Sequence, residues 1–67
     1  MKNLFTEYLI ENGWKEISNM NFQQEKSQNV EIFFASSNQI EVYIDTKLKT
    51  EKYLSNLEDL KEVLSKI

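Results

Sequence analysis

The sequence predicts an α+β domain, a two-layer sandwich in which two helices cover the same face of an antiparallel sheet. Three observations indicate this fold. Apolar residues recur at helical spacing near both ends of the chain, the middle alternates between apolar and polar residues, and no repeat, linker or low-complexity segment divides the 67 residues. We expect one domain, residues 1–67, with the element order α-β-β-β-α and three or four strands.

The first helix is predicted over residues 3–12. Four apolar side chains share one face at helical spacing: Leu4, Phe5, Tyr8 and Leu9. Asn3 can cap the start of the helix through its side-chain oxygen. Gly13 lies where a left-handed residue ends a helix, and we expect Trp14 to fold back onto Leu9.

An irregular extended segment, residues 14–25, is expected next. Trp14, Met20 and Phe22 share one parity, whereas Ile17 breaks it, so we expect a bulge or turn near Ser18 and Asn19. Two regular strands follow in "VEIFFASSNQIEVYID", residues 30–45. Their even-numbered residues, the apolar ones, are expected to face the core: Val30, Ile32, Phe34, Ile40, Val42 and Ile44.

The turn between these strands fixes their register. A three-residue loop, 36–38, with Asn38 in the left-handed position, brings both apolar sets to one face. This loop pairs Ile32 with Val42 and Phe34 with Ile40, and sets Phe33 opposite Glu41 and Glu31 opposite Tyr43. The alternative loop, 37–39, would oppose Glu31 and Asp45, and like charges in that position are destabilising. We therefore predict the first register.

The segment "TKLKTEKYL", residues 46–54, allows an edge strand, a loop or an early helical turn. Its three lysines suit an edge strand that must not pair further. The last helix is predicted over residues 56–66, with Ser55 and Glu58 as a capping box. Its apolar stripe is Leu57, Leu60, Val63, Leu64 and Ile67.

Composition excludes several function classes. The chain has no cysteine and no histidine, so we expect no disulfide, no zinc site, no cofactor and no activated serine, and we predict that the protein is not an enzyme. The net charge of −3 disfavours a general nucleic-acid binder. No apolar run approaches the roughly 20 residues that span a bilayer, and no secretory leader is apparent. We expect the mature chain to be the whole chain, and to be cytoplasmic.

The predicted element order resembles that of the double-stranded-RNA-binding domain over most of the chain. That family contacts phosphates through lysines at the start of its second helix. Here the same place carries "SNLEDL", with Glu58 and Asp59 where positive charge would be needed. The resemblance therefore implies the architecture, and RNA binding is not carried over. A weaker nucleic-acid hypothesis rests on the lysine cluster 47, 49 and 52.

The odd-numbered face of the sheet supplies the candidate binding surface. If both helices cover the even face, the side chains left open include two aromatic rings and a carboxylate rim: Glu31, Phe33, Glu41, Tyr43 and Asp45. Aromatic anchors are enriched in protein interfaces, and acidic residues can steer a basic partner. We expect these five residues to bind another protein. Tyr53 and Trp14 would extend the surface if they face the same way, and the pattern leaves their facing open. The alternative is a homodimer, joined through Phe33 and Tyr43 or through the C-terminal helix stripe.

The origin of the chain is indicated by residue usage. Residue types with AT-rich codons supply 30 of the 67 residues, which points to an AT-rich genome. Small size, this usage and the absence of catalytic residues resemble small phage or mobile-element accessory proteins, including inhibitors of host defence nucleases such as anti-CRISPRs. This is a resemblance of type, and no functional residue is carried over from it.

Overall fold

The computed structural model describes residues 3–67 and contains two helices and a five-stranded antiparallel sheet. The strands are adjacent in space in the order in which they occur in the chain. The elements are α1 (Leu4–Glu11), β1 (Trp14–Ser18), β2 (Asn21–Gln24), β3 (Val30–Ser36), β4 (Gln39–Ile44), β5 (Lys47–Tyr53) and α2 (Leu57–Ser65). The α+β class is confirmed, whereas the predicted three or four strands and the order α-β-β-β-α are wrong. Five strands also separate the chain from the double-stranded-RNA-binding order.

Helix α1 begins and ends as its sequence predicts. The Asn3 side-chain oxygen accepts from the backbone N–H groups of Phe5 and Thr6, at 2.8 and 3.4 Å. Gly13 follows the helix with a φ of 90°, a conformation that side chains with a Cβ rarely adopt. Trp14 then enters the core and joins the cluster that contains Leu9.

The additional strands come from the two segments whose sequence pattern is least regular. The predicted irregularity near Ser18 is a tight turn that divides residues 14–24 into β1 and β2, with Met20 at a φ of 58°. The pairing shifts between Glu16 and Ser18, so Ile17 breaks the alternation as a bulge does. Residues 47–53 form an edge strand, which resolves the alternatives left open for 46–54.

The predicted register of β3 and β4 is confirmed for all four predicted pairs. Their connection differs from the prediction, because only residues 37 and 38 lie between the two strands. Asn38 is not in the left-handed conformation; the register shift between Phe34 and Ser36 accommodates the extra residue instead. A bulge with a two-residue turn therefore gives the same register as a three-residue loop. Left-handed residues occur in the β4–β5 turn, at Asp45 and Thr46, with φ of 53° and 65°.

The N-cap of helix α2 lies one residue later than predicted. Asn56, rather than Ser55, accepts from the Asp59 backbone N–H, at 3.0 Å. The Asp59 carboxylate in turn accepts from the Ser55 backbone N–H, at 2.8 Å. The predicted Ser55–Glu58 capping box is therefore wrong by one residue. Asn56 and Asp59 have the same spacing, and their side chains accept from the backbone N–H groups of Asp59 and Ser55.

Both helices cover the even-numbered face of the sheet, which completes the two-layer arrangement. Leu9 of α1 and Leu60 of α2 are fully buried in one cluster with Ile32 and Ile40. Within this cluster the rings of Phe22 and Phe34 meet edge to face, with centroids 5.8 Å apart. Neither helix in the described residues is long and apolar enough to cross a membrane.

Candidate functional site

The face of the sheet opposite the helices carries the predicted binding residues in two cross-strand rows. We call it the open face and define it by these rows and by Tyr53 near the end of β5. One row is Ser18, Asn21, Phe33, Glu41 and Glu51, and the next is Lys15, Gln23, Glu31, Tyr43 and Leu48. Successive strands contribute one residue each, so aromatic rings and carboxylates lie directly or diagonally next to one another.

Four of the five predicted residues lie together on this face. Phe33 is opposite Glu41, and Glu31 is opposite Tyr43. The fifth, Asp45, lies beyond the end of β4 in the left-handed turn. Its carboxylate accepts from the Asn29 side-chain amide at 3.2 Å, which ties this turn to the loop before β3.

Sequence reasoning missed Leu48 and Glu51, and left the facing of Tyr53 open. The reason is a register shift opposite Val42 and Tyr43, which turns Leu48 onto the open face although its number is even. Leu48 is 49% exposed and Tyr53 is 68% exposed. The alternation of 46–54, taken as a strand, could have placed Glu51 and Tyr53 but not Leu48. Trp14 is buried and does not extend the surface.

Three carboxylates outnumber the single lysine, Lys15, and give the open face a net negative charge. Glu41 and Glu51 lie directly opposite each other on β4 and β5, and Glu31 lies on β3. Among residues 3–67, no lysine Nζ lies within 4 Å of these three carboxylates; the recorded ion pairs of the described chain lie elsewhere. No three acidic side chains in this range form a group that could hold a metal ion.

Neutral donors hold two of these carboxylates in place. The Tyr43 hydroxyl donates to Glu41 Oε1 at 2.8 Å, and the Asn21 side-chain amide donates to Glu31 Oε1 at 3.3 Å. The hydrogen bond to Glu41 raises the pKa of Tyr43, since it requires the protonated phenol; partial burial and the negative charges of Glu41 and Glu51 raise it further. These two hydrogen bonds restrict the geometry of the Glu41 and Glu31 side chains.

The apolar part of the open face lies between these charges. Phe33 is 37% exposed, and together with Tyr43 it borders a shallow depression of about 310 Å³. Asn21, Glu31 and Thr46 complete its lining. The open face thus combines ring surfaces, an exposed leucine, three carboxylates and one lysine, Lys15, within two rows of the sheet.

Comparisons with known proteins give no match for this chain. The chain matches no protein-family profile, no curated protein and no solved structure. What the open face does must therefore be inferred from its own geometry and charge.

Proposed function

We propose that this protein is a non-catalytic binding module that places its open face on a basic surface of another protein. The observation that supports this most strongly is the direct opposition of Glu41 and Glu51, with no lysine Nζ of residues 3–67 within 4 Å of either carboxylate. Like charges in directly opposed cross-strand positions are destabilising, so a sequence selected for folding alone would be expected to avoid them. A lysine or arginine from a partner would turn this cost into an attraction.

The neighbouring apolar surface supports the same proposal. Phe33 and Leu48 are partly exposed beside the carboxylates, and Tyr43 presents a ring whose hydroxyl is already satisfied by Glu41. Aromatic side chains are enriched at the centres of protein interfaces, where they contribute much of the binding energy. The carboxylates would then supply orientation and a fast association rate.

A partner with a positively charged groove fits this face best, and nucleic-acid enzymes have such grooves. We therefore propose inhibition of a host protein, such as a defence nuclease, as the biological role. The AT-rich residue usage supports a phage or mobile-element origin. In this proposal the protein acts by occupying the groove, and no bond is made or broken.

A homodimer through the open face is disfavoured by the same charges. Two copies meeting there would bring Glu31, Glu41 and Glu51 of each against the same residues of the other. The C-terminal helix stripe offers little surface for the second dimer hypothesis, because Leu60 and Val63 are buried within a single chain. We therefore propose a partner of different sequence.

Affinity capture from an extract of the native host tests this function. The bait is the full chain, compared with the charge-reversed variant Glu31→Lys/Glu41→Lys/Glu51→Lys. The matched control, Glu11→Lys/Glu25→Lys/Glu58→Lys, makes the same change in net charge at three exposed positions outside the open face. Thermal unfolding first establishes that all three proteins fold.

The expected result is one basic partner that the wild type and the control retain. The amount of partner captured by the charge-reversed variant should fall more than about tenfold, because like charges brought together across an interface cost several kcal/mol. Equal capture by the charge-reversed variant would contradict the proposal.

A further inference from the structure

A second concave region lies on the opposite side of the molecule, where α2 leaves the β4–β5 end of the sheet uncovered. This cleft has a volume of about 480 Å³. Its apolar wall is formed by Val42, Ile44, Val63 and Ile67, with Thr50 on the β5 side. Binding sites for small molecules commonly have volumes of about 300–1,000 Å³. The cleft is therefore large enough to hold a ligand.

The cleft exists because the apolar stripe of α2 seals only part of the sheet. Leu60 and Val63 are buried, and Ile40 beneath the helix layer is fully buried. Ile67, one turn further along the stripe, is 42% exposed, and Ile44 at the end of β4 is only half-buried. Apolar surface from both layers thus remains open to solvent at this one end.

The rim of the cleft is basic in a protein that is acidic overall. Three of the eight lysines line it, namely Lys49, Lys52 and Lys66, and the one acidic side chain in the lining is that of Glu62. Lys52 and Lys66 both approach the same oxygen, Glu62 Oε1, at 3.4 and 3.5 Å. Among residues 3–67, no carboxylate oxygen lies within 4 Å of Lys49 Nζ. The rim therefore has an excess of positive charge.

We infer that this cleft binds a small amphiphilic anion, an apolar chain or ring that bears one carboxylate. The apolar part lies against Val63 and covers Ile44 and Ile67, which removes the exposed surface of these two isoleucines from water. The carboxylate lies at the rim beside Lys49 and Lys66. This inference is independent of the open face, which lies on the other side of the sheet.

Titration of the full-length, isotope-labelled protein with decanoate below its micelle concentration tests the inference. Backbone amide shifts should change saturably around Thr50, Val63 and Lys66, while those of Phe33 and Glu41 stay in place. Decanol has the same chain without charge and should bind more weakly, and decyltrimethylammonium should bind most weakly. Equal affinity for the three probes, or shifts that do not saturate, would overturn the inference.

Variants separate the charged rim from the apolar wall. Lys49→Gln should weaken decanoate binding by roughly two- to fivefold, the size expected of an exposed ion pair, whereas the distant Lys26→Gln should not. Glu62→Gln removes the competing anion and should tighten binding. Thr50→Phe should fill the cleft and abolish binding in a protein that still unfolds cooperatively. Unchanged decanoate affinity in folded Thr50→Phe would place the probe elsewhere and refute the inference.

Discussion

Glu41 and Glu51 face each other across β4 and β5 on the open face, and within residues 3–67 the Tyr43 hydroxyl, which donates to Glu41, is the one hydrogen-bond donor to either side chain. Tyr43 lies two residues along the same strand, so the phenol can hold Glu41 without neutralising it. The arrangement keeps two negative charges at adjacent positions in the free protein. A cation from outside the chain would lower their repulsion, and this links the stability of the fold to binding.

Removal of one of the two charges should therefore stabilise the free protein. We expect Glu51→Gln to raise the free energy of unfolding by about 0.2–1 kcal/mol, the range of a cross-strand pair. Urea unfolding at low salt measures it, and the gain should shrink as salt screens the repulsion. Glu25→Gln, in the exposed loop after β2, is the control and should have no such effect. A loss of stability in Glu51→Gln would contradict the proposed repulsion.

The Tyr43–Glu41 hydrogen bond should appear as a late tyrosine titration. The pKa of Tyr43 is raised in the folded protein, so the protonated phenol is favoured more in the folded state than in the unfolded state. The stabilisation is fully present below the usual tyrosine pKa of about 10, and is lost as the pH rises through the folded value. Ultraviolet absorbance of the folded protein should show a tyrosine titration above the ordinary tyrosine pKa, which we assign to Tyr43. Tyr43→Phe should remove it, and Glu41→Gln should move it back towards the ordinary pKa.

Adjacent phenylalanines on β3 test which face is the core. Phe34 is 3% exposed in the core and Phe33 is 37% exposed on the open face. Phe34→Ala should cost roughly 3–5 kcal/mol of unfolding free energy, because it leaves a cavity. Phe33→Ala should have a far smaller effect on stability while it weakens partner capture. Similar losses of stability in the two variants would mean that both faces of the sheet are covered.

The start of α2 can be tested by its two candidate caps. Asn56→Ala should lower the unfolding free energy by about 1 kcal/mol, since the Asp59 N–H loses its side-chain acceptor. Ser55→Ala should have little effect, because Ser55 contributes its backbone N–H to the Asp59 carboxylate, and alanine keeps that group. Thermal or urea unfolding distinguishes them. A larger effect at Ser55 than at Asn56 would restore the capping box predicted from sequence.

Sequence alone predicts the regular parts of this fold because their patterns are local. The β3–β4 register follows from alternating apolar residues and from the avoidance of a Glu31–Asp45 pair. Both helices follow from their stripes. The bulges at Ala35 in β3 and at Lys49 in β5 are different, because one extra residue changes the facing of the residues beyond it without a strong signal in the sequence. Leu48 is on the open face for this reason, and the prediction missed it.

The strand count was underestimated for a related reason. Residues 14–24 contain two short strands around a turn at Met20, which is neither glycine nor asparagine. The β4–β5 turn similarly uses Asp45 and Thr46 in left-handed conformations, and threonine is not typical there. Sheet pairing on both sides of these turns holds them in conformations that the local sequence does not favour. Turn residues alone could not have given the five strands.

Footprinting of the complex is the most direct test of the proposed binding face. The captured partner is mixed with the full chain, and oxidative labelling of side chains is compared in the free and bound states. We predict that labelling falls at Phe33, Tyr43, Leu48 and Tyr53, while Tyr8 beside α2 is unchanged. Protection confined to α1 and α2, with the open face labelled as in the free protein, would contradict the account.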